Sequence, residues 1–375
     1  MKSKISLFVL QIILLFVLTN CKEDQPVENK SNTISDSSAI TLFNDVLFYD
    51  GYGQTVDYPA PAGTMRISNS KYIALLPNSF TESIGNNLEL EVIVRAACDN
   101  YDRIGSVFLT LVEKGKFYDQ SSIAYTLEIA RFITPFMDKN KSPNEVPYVF
   151  DISNIAKFIA DKEITNNYDI WIEFDIFGVP YAANIQVAGC QGKDYTFFGT
   201  LKFTTTNAPA TEIKQTLIPI ANKIGFNNYS QTDVIGQTVK TINVEIPTNI
   251  KDAKLYLITS NHGANEGGEE YIRREHYIYF DNNLVDMYKP GGKSCEPYRI
   301  YNTQGNGIYG PSPRLESEWT SWNNWCPGDK IPIRIYDLGN LSSGNHTFKI
   351  EVPDAEFVGS QGDFPLSAYI QGDQQ

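Results

Sequence analysis

Histidine is nearly missing from this chain, with three in 375 residues. That scarcity argues against most histidine-based metal chemistry, because imidazole is the commonest side-chain ligand of transition metals. Cysteine is scarce too, with five, and no C-x-x-C or Cys/His spacing suggests a zinc site. There is no G-x-S-x-G elbow and no H-E-x-x-H helix. Gly292-Lys-Ser294 resembles the end of a phosphate-binding loop, but Met287 stands where its first glycine should be. Glu275-His276 lacks a second metal ligand. Positive charge is in deficit, with 31 Lys and Arg against 44 Asp and Glu and a net charge of -13. A polyanion, whether nucleic acid or an anionic membrane surface, is therefore a poor partner.

Aromatic residues are abundant, 13% of the chain with 22 Tyr and 21 Phe. Together with many Val, Ile and Thr they favour strands over helices. A length of 375 residues exceeds one ordinary core and suggests two domains. The N-terminus reads as an address. Lys2 and Lys4 precede an apolar run from Ile5 to Leu18, which is signal-peptide length and short for a membrane span. It ends in Leu18-Thr-Asn-Cys21, similar to a bacterial lipoprotein signal of residues 1–20 with Cys21 as the lipidated residue. Asn20 departs from the usual small residue before such a cleavage point. Lys22-Glu-Asp24 resembles the acidic tag that directs some Gram-negative lipoproteins to the outer face of the cell. Residues 21–38 are polar, as a tether should be. The expected address is the outer membrane, facing outward, with the lipid as the sole membrane contact.

Setting Cys21 aside leaves Cys98, Cys190, Cys295 and Cys326, an even number that in an exported chain reads as disulfides. Three pairings are open; 98–190 with 295–326 keeps each bridge in one half of the chain. Short strands separated by turn residues fill 39–206, the first expected domain. Helical spacing occurs only at 153–162. Residues 168–177 alternate as a strand, with Ile170, Ile172, Phe174 and Ile176 on one face and Trp171, Glu173 and Asp175 on the other. A ring and two carboxylates on one face suit a sugar site, and equally suit a half-solvated strand. Residues 207–212, small and containing Pro, read as a linker before a second strand-rich domain over 213–375. That domain carries two long loops, 261–270 and 290–327, and loops of such length in a compact domain are usually functional or disordered. The second holds Cys295, Cys326 and three Trp residues, so part of it is expected to be ordered.

With metal and nucleophile motifs absent, the candidate chemistry is carboxylate chemistry. Cys98-Asp-Asn-Tyr-Asp-Arg103 is a loop between two strand patterns, where a rigid sheet can fix a carboxylate in space. Asp102 there is a candidate base beside the permanent cation of Arg103. Glu269-Glu270 closes the first long loop.

Several stretches, in one order, resemble the peptide-N-glycosidase F family of bacterial amidases. They are Asp99-Asn-Tyr-Asp-Arg103, Ala130-Arg-Phe-Ile-Thr-Pro-Phe136, Ile246-Pro-Thr-Asn249, Ala253-Lys-Leu-Tyr-Leu257, Glu269-Glu-Tyr-Ile-Arg-Arg-Glu-His276 and Trp325-Cys-Pro-Gly328. The resemblance implies an all-β fold of two jelly-roll antiparallel β-sandwich domains side by side, with the site at their interface. It implies catalytic roles for Asp102 and Glu270, and for Glu173 as a residue that holds sugar or orients Asp102. Candidate substrate-binding residues are Arg103, Tyr101, Tyr271 and Trp325 on those motifs, His262 in the loop before Glu270, and Trp171. Cys295–Cys326 matches a family bridge. The implied reaction hydrolyses the N-acetylglucosaminyl-asparagine amide of N-glycoproteins or glycopeptides, converts Asn to Asp and needs no metal or cofactor; a monomer is expected. Tyr101 replaces a family Trp, and a family Arg before Trp-Cys-Pro-Gly has no equivalent, Trp322 standing there unless Arg314 reaches in. The rival is a surface lipoprotein of this fold that binds glycans without cutting them. Copper monooxygenases of similar architecture need about five His and a Met ligand, with imidazole the favoured copper ligand, and three His cannot supply that set.

Overall fold

The computed structural model describes residues 37–206, 214–228, 236–264 and 268–375. The signal, Cys21, most of the tether and the linker lie outside the described residues. The first sandwich comprises β1 (Ser37–Tyr49), β2 (Thr64–Ser68), β3 (Lys71–Leu75), β4 (Glu89–Ala96), β5 (Ile104–Glu113), β6 (Ile123–Ile133), β7 (Glu145–Asp151), β8 (Tyr168–Ile176) and β9 (Tyr195–Thr206). One sheet runs β1-β9-β4-β7 and the other β2-β3-β8-β5-β6, with antiparallel pairing throughout. The second sandwich is built from β10 (Gln215–Ile224), β11 (Val239–Ile246), β12 (Ile250–Thr259), β13 (His276–Phe280), β14 (Asn283–Tyr288), β15 (Arg334–Leu341), β16 (Gly344–Glu351) and β17 (Leu366–Gln374). Its sheets run β10-β17-β12-β15 and β11-β16-β13-β14, again antiparallel. The expected pair of antiparallel β-sandwiches is the fold observed.

Alternation drives the packing. In β7, Val146, Tyr148 and Phe150 point inward and their neighbours outward, the period-2 pattern of a sheet with one wet face. They meet Ile170, Ile172, Phe174 and Ile176 of β8 in one core, so the apolar face assigned to this strand from sequence is the buried one. β5 differs, being buried on both faces. Its neighbour β6 packs against β10 and β17 of the second sandwich, so the outer face of this sheet is also an interdomain face.

That face carries a buried ion pair. Arg131 is fully buried; its Nε donates to Glu128 Oε1 at 2.8 Å and Nη1 donates to the Pro365 carbonyl at 2.7 Å. Ser367 of β17 donates to Glu128 as well. Removing one partner of such a pair leaves a buried charge uncompensated and costs about 3–5 kcal/mol. Further along, Asn154 Nδ2 donates to the Tyr369 hydroxyl at 2.9 Å, and Ile331 N–H donates to the Arg131 carbonyl at 2.8 Å. The helical spacing over 153–162 resolves into two short helices, Ser153–Ile159 and Lys162–Asn167. Asp161 breaks them by capping the second, its side chain accepting from Glu163 N–H.

Both disulfides of the one-bridge-per-half pairing are present, Cys98–Cys190 and Cys295–Cys326. The long loop over 290–327 is ordered in part, as expected, with a 3-10 turn at Glu296–Tyr301 and a helix at Glu316–Trp322. Trp319 is fully buried in it and packs with Cys295, Cys326, Tyr309 and Phe136. Phe136 belongs to the first sandwich, so this loop is fastened across the domain boundary: Phe136 N–H donates to Asn302 Oδ1 at 2.9 Å and Asp138 N–H to Thr303 Oγ1 at 3.0 Å.

Candidate active site

The loop between β4 and β5 holds two aspartates with opposite fates. Asp99 is buried and fully committed. It accepts from Val179 N–H at 2.7 Å, Tyr101 N–H at 2.9 Å and Arg103 Nε at 2.7 Å. Those bonds fold the loop back on itself and tie Cys98 and Cys190 to the same corner. Arg103 is fixed in turn by its backbone, which donates to Thr134 Oγ1 at 2.7 Å and accepts from Thr134 N–H at 2.8 Å. Asp102 is left over: its Oδ2 is buried and has no hydrogen-bond partner among the described residues. Burial pushes its pKa up to about 8, the charge of Glu270 pushes the same way, and Arg103 opposes both. A carboxyl that titrates near neutral pH, set in an interdomain corner, is the usual form of a proton-transferring group.

Glu270 arrives from the second sandwich. Its Oε2 accepts from Gly263 N–H at 2.9 Å. The Tyr271 hydroxyl also bonds it, and burial raises its pKa while these donors and Arg103 restrain the rise. The Gly263 donor is positioned by an unusually close backbone approach: His262 and Asp363 pair through both N–H and C=O, and Gly263 and Gly362 lie against each other at φ of +119° and +93°. A Cβ on Gly263 would fall on Gly362, and one on Gly362 on the His262 carbonyl, so only glycine serves at either position. Asn324 holds the other side of the turn, its Nδ2 donating to the carbonyls of Glu269 at 3.2 Å and Ile272 at 3.1 Å.

Glu269, one residue away, is structural. It is fully buried, paired with Arg274 at 2.8 Å, and accepts from Glu356 N–H at 2.8 Å. Of the adjacent pair, Glu270 alone addresses Asp102.

Aromatic groups line the same corner. Trp325 Nε1 donates to the Asn261 carbonyl at 2.8 Å. That anchors an indole whose ring stacks on His262 at 5.6 Å and lies 6.4 Å from Tyr271. On the first sandwich Tyr101 is 38% exposed and packs on Phe136 at 5.5 Å, with the Arg103 guanidinium 5.5 Å from its ring centre. The structure thus groups Asp102, Arg103 and Tyr101 with Glu270, Tyr271, His262 and Trp325.

Glu173 and Trp171 stand elsewhere, which corrects the expectation that Glu173 orients Asp102. In β8, Glu173 pairs with Phe108 of β5, roughly 13 Å along the strand from Ile104. Its carboxylate accepts from Lys71 Nζ at 2.7 Å, Thr110 Oγ1 at 2.5 Å and the Tyr118 hydroxyl at 2.6 Å. Although burial raises its pKa, Lys71 and the hydroxyls outweigh that and lower it overall. Trp171 packs its ring on Tyr118 at 5.5 Å, in the same cluster. The wet-face reading of this strand failed because the loop after β5 and the second sandwich cover that face. Arg314 does not take the place of the absent family Arg: its Nη2 donates to the Gly307 carbonyl at 3.0 Å and its guanidinium lies 5.4 Å from the Trp319 ring centre. The cation that acts on both Asp102 and Glu270 is Arg103. No three His, Cys, Asp or Glu side chains gather as a metal-binding group among the described residues.

Gly263, Gly362, Thr134, Asn324 and Phe136 escaped the sequence reading as site residues. Backbone donors and carbonyl clamps leave no residue-type signature, although Thr134 and Phe136 lie inside the matched stretch 130–136.

Comparison with known proteins agrees with this geometry. Residues 39–191 match the family of peptide-N-glycosidase F N-terminal domains and residues 228–371 the family of its C-terminal domains. The peptide-N(4)-(N-acetyl-beta-D-glucosaminyl)asparagine amidase F of Elizabethkingia miricola is 22% identical over 396 residues, covering 98% of this chain and 95% of that protein. Among solved structures, PNGF-II superposes with a TM-score of 0.66 at 20% identity, over 90% of this chain and 66% of that longer one. PNGase F, a glycosylasparaginase from Flavobacterium meningosepticum, superposes with a TM-score of 0.56 at 16% identity, over 90% and 96% of the two chains. At those identities the superpositions speak for the fold alone. The two domain matches, in order and on either side of the corner where Asp102 meets Glu270, establish the lineage: the chain belongs to the peptide-N-glycosidase F family.

Proposed function

We propose that the protein is an amidase that hydrolyses the bond between N-acetylglucosamine and the asparagine side chain of N-glycoproteins, leaving aspartate on the peptide and releasing the glycan as a glycosylamine. The observation that carries the proposal is the opposition of Asp102 and Glu270 from different sandwiches, with burial and then the charge of Glu270 raising the pKa of an Asp102 carboxyl whose Oδ2 has no hydrogen-bond partner among the described residues. Amide hydrolysis without a Ser or Cys nucleophile requires an activated water and a proton for the departing nitrogen. Ionised Asp102 takes a proton from water as its oxygen attacks the amide carbon. The carbon–nitrogen bond then breaks, and the nitrogen leaves with that proton returned from Asp102. Glu270, oriented by Gly263 and Tyr271, binds the sugar-amide end. Arg103 stabilises negative charge that develops at the amide oxygen, while Trp325 and Tyr101 supply ring faces for the sugar.

Like charges set together in a partly desolvated corner cost stability, and such arrangements persist mainly where function requires them. The proposed location is the outer membrane, with lipidated Cys21 as anchor and the monomer as the working unit. A non-catalytic glycan-binding lipoprotein is the competing reading, favoured by the separation of Glu173 from Asp102 and by Arg274 being spent on Glu269, which leaves Arg103 as the Arg that acts on Glu270 among the described residues. Incubation of the purified protein with an N-glycoprotein, followed by mass analysis for Asn-to-Asp conversion, separates the two. Conversion supports the amidase; glycan retention on the protein without conversion supports the binder.

A further inference from the structure

A hydrogen-bond chain runs from the buried interdomain ion pair through Ser260 to His262. Arg131 has only donors, and all of those that the structure engages are accounted for. Nε and Nη2 serve Glu128, while Nη1 serves the Pro365 carbonyl at 2.7 Å and Ser260 Oγ at 3.0 Å. Ser260 is buried, and its Oγ lies 2.7 Å from His262 Nε2. A guanidinium cannot accept a hydrogen bond, so Ser260 Oγ accepts from Arg131; a second lone pair could accept from His262 as well, but the Ser260 proton would then have no acceptor among the contacts its hydroxyl makes, whereas an unprotonated His262 Nε2 takes it. An imidazole nitrogen that accepts is unprotonated, which leaves the proton on Nδ1. The ring cannot easily turn away from this arrangement, because it stacks at 5.6 Å on a Trp325 indole that is itself tied to Asn261.

We propose that Arg131 and Ser260 are positioning residues that lock His262 as the neutral Nδ1–H tautomer, making it a fixed hydrogen-bond donor to an oxygen of the bound sugar or amide. This role rests on the amidase reading; the tautomer itself does not. The charge environment agrees, since burial and the positive charges of Arg131 and Lys223 hold the His262 pKa down at about 3. A neutral donor suits a site whose carboxylates carry the acid–base chemistry, because an imidazolium would compete with Asp102 as a proton source. The same backbone segment delivers Gly263 N–H to Glu270, so both devices share one anchor.

The chain has three histidines, which makes ¹⁵N-imidazole spectroscopy direct, with His262→Gln assigning the signal. In the free full-length protein, Nδ1 of His262 should resonate as protonated and Nε2 as bare from pH 5 to 9. Ser260→Ala should convert this to a mixture of tautomers, and Ser260→Thr, which keeps the hydroxyl, should restore the single form. N,N′-diacetylchitobiose should shift the Nδ1–H signal in wild type and bind Ser260→Ala roughly three- to tenfold more weakly, the range of one neutral hydrogen bond. A protonated Nε2 in wild type, or an unchanged tautomer in folded Ser260→Ala, overturns the inference whatever the activity is. A correct tautomer in a protein that never cleaves glycopeptides would count against the amidase reading instead.

Discussion

Asp102 and Glu270 lie in different sandwiches, yet after burial itself the charge of Glu270 is the largest influence on the protonation of Asp102. Arg103, beside Asp102 in sequence, restrains the upward shift of both. Each sandwich alone would hold half of a site. The interdomain contacts through Glu128, Arg131, Ser367 and Asn154 therefore fix the relative position of Asp102 and Glu270 as well as contributing to stability.

The raised pKa of Asp102 has a consequence for stability. The folded state keeps this proton up to about pH 8 while the unfolded chain releases it near 3.8. Between those values the native state binds more protons, so stability falls as pH rises through the window. Asp102→Asn removes the ionisation. Its melting temperature should match wild type near pH 4 and exceed it by several degrees at pH 9; an equal or lower value at pH 9 contradicts the assignment.

Rate should follow the same proton. If ionised Asp102 is the base, kcat/KM should rise with pH to a plateau with an apparent pKa near 8, a value that belongs to the Asp102–Glu270 pair. An activity that declines through that range would give Asp102 the acid role.

The adjacent glutamates separate structure from chemistry. Glu270→Gln should be severely impaired in activity, because it loses the charge that acts on Asp102 and on the sugar-amide end, with little change in melting temperature. Glu269→Gln weakens a fully buried pair with Arg274, so it should melt several degrees lower; loss of one partner of a buried ion pair costs about 3–5 kcal/mol at the limit. Its residual folded fraction should retain activity. Paired melting and turnover measurements on both variants decide the matter, and the reverse pattern would exchange their roles.

Much of this was legible in the chain. Aromatic and β-branched richness pointed to sheets, the strand over 168–177 showed its buried face, cysteine parity with one bridge per half favoured one of three open pairings, and the family resemblance supported its Cys295–Cys326 bridge. Asp102 and Glu270 came from matched stretches and not from periodicity. What sequence could not show was coverage. Glu173 sits on the face that alternation marks as wet, but the Tyr118 loop buries it against Lys71 and Thr110, and nothing local to β8 records that. In the same way Asp99 and Asp102 look equivalent in one short loop until Val179 and Arg103 claim Asp99.

The Cys295–Cys326 bridge spans a sequence separation of 31 and holds the loop that presents Trp325 and Asn324. In the chain-entropy model a closed loop of that size contributes roughly 3–4 kcal/mol. Replacing both cysteines with Ser should lower the denaturation midpoint accordingly and weaken glycan binding through Trp325. Non-reducing peptide maps should show neither cysteine free; a free thiol at either position contradicts the bridge.

Cys21 lies outside the described residues, and its lipidation is tested in cells. Two or more acyl chains on one residue give stable anchoring. Cys21→Ser should therefore move the protein from the membrane fraction to a soluble one, and an unchanged fractionation would end the lipoprotein proposal.

The most direct measurement of the central claim is mass analysis of a purified N-glycopeptide incubated with wild type and with Asp102→Asn, both shown to be folded by melting. The account predicts Asn-to-Asp conversion with release of the intact glycan by wild type, and a rate at least ~10²-fold lower for Asp102→Asn. Equal conversion by the two proteins would contradict Asp102 as the base, and no conversion by either would leave a glycan-binding protein in the fold of an amidase.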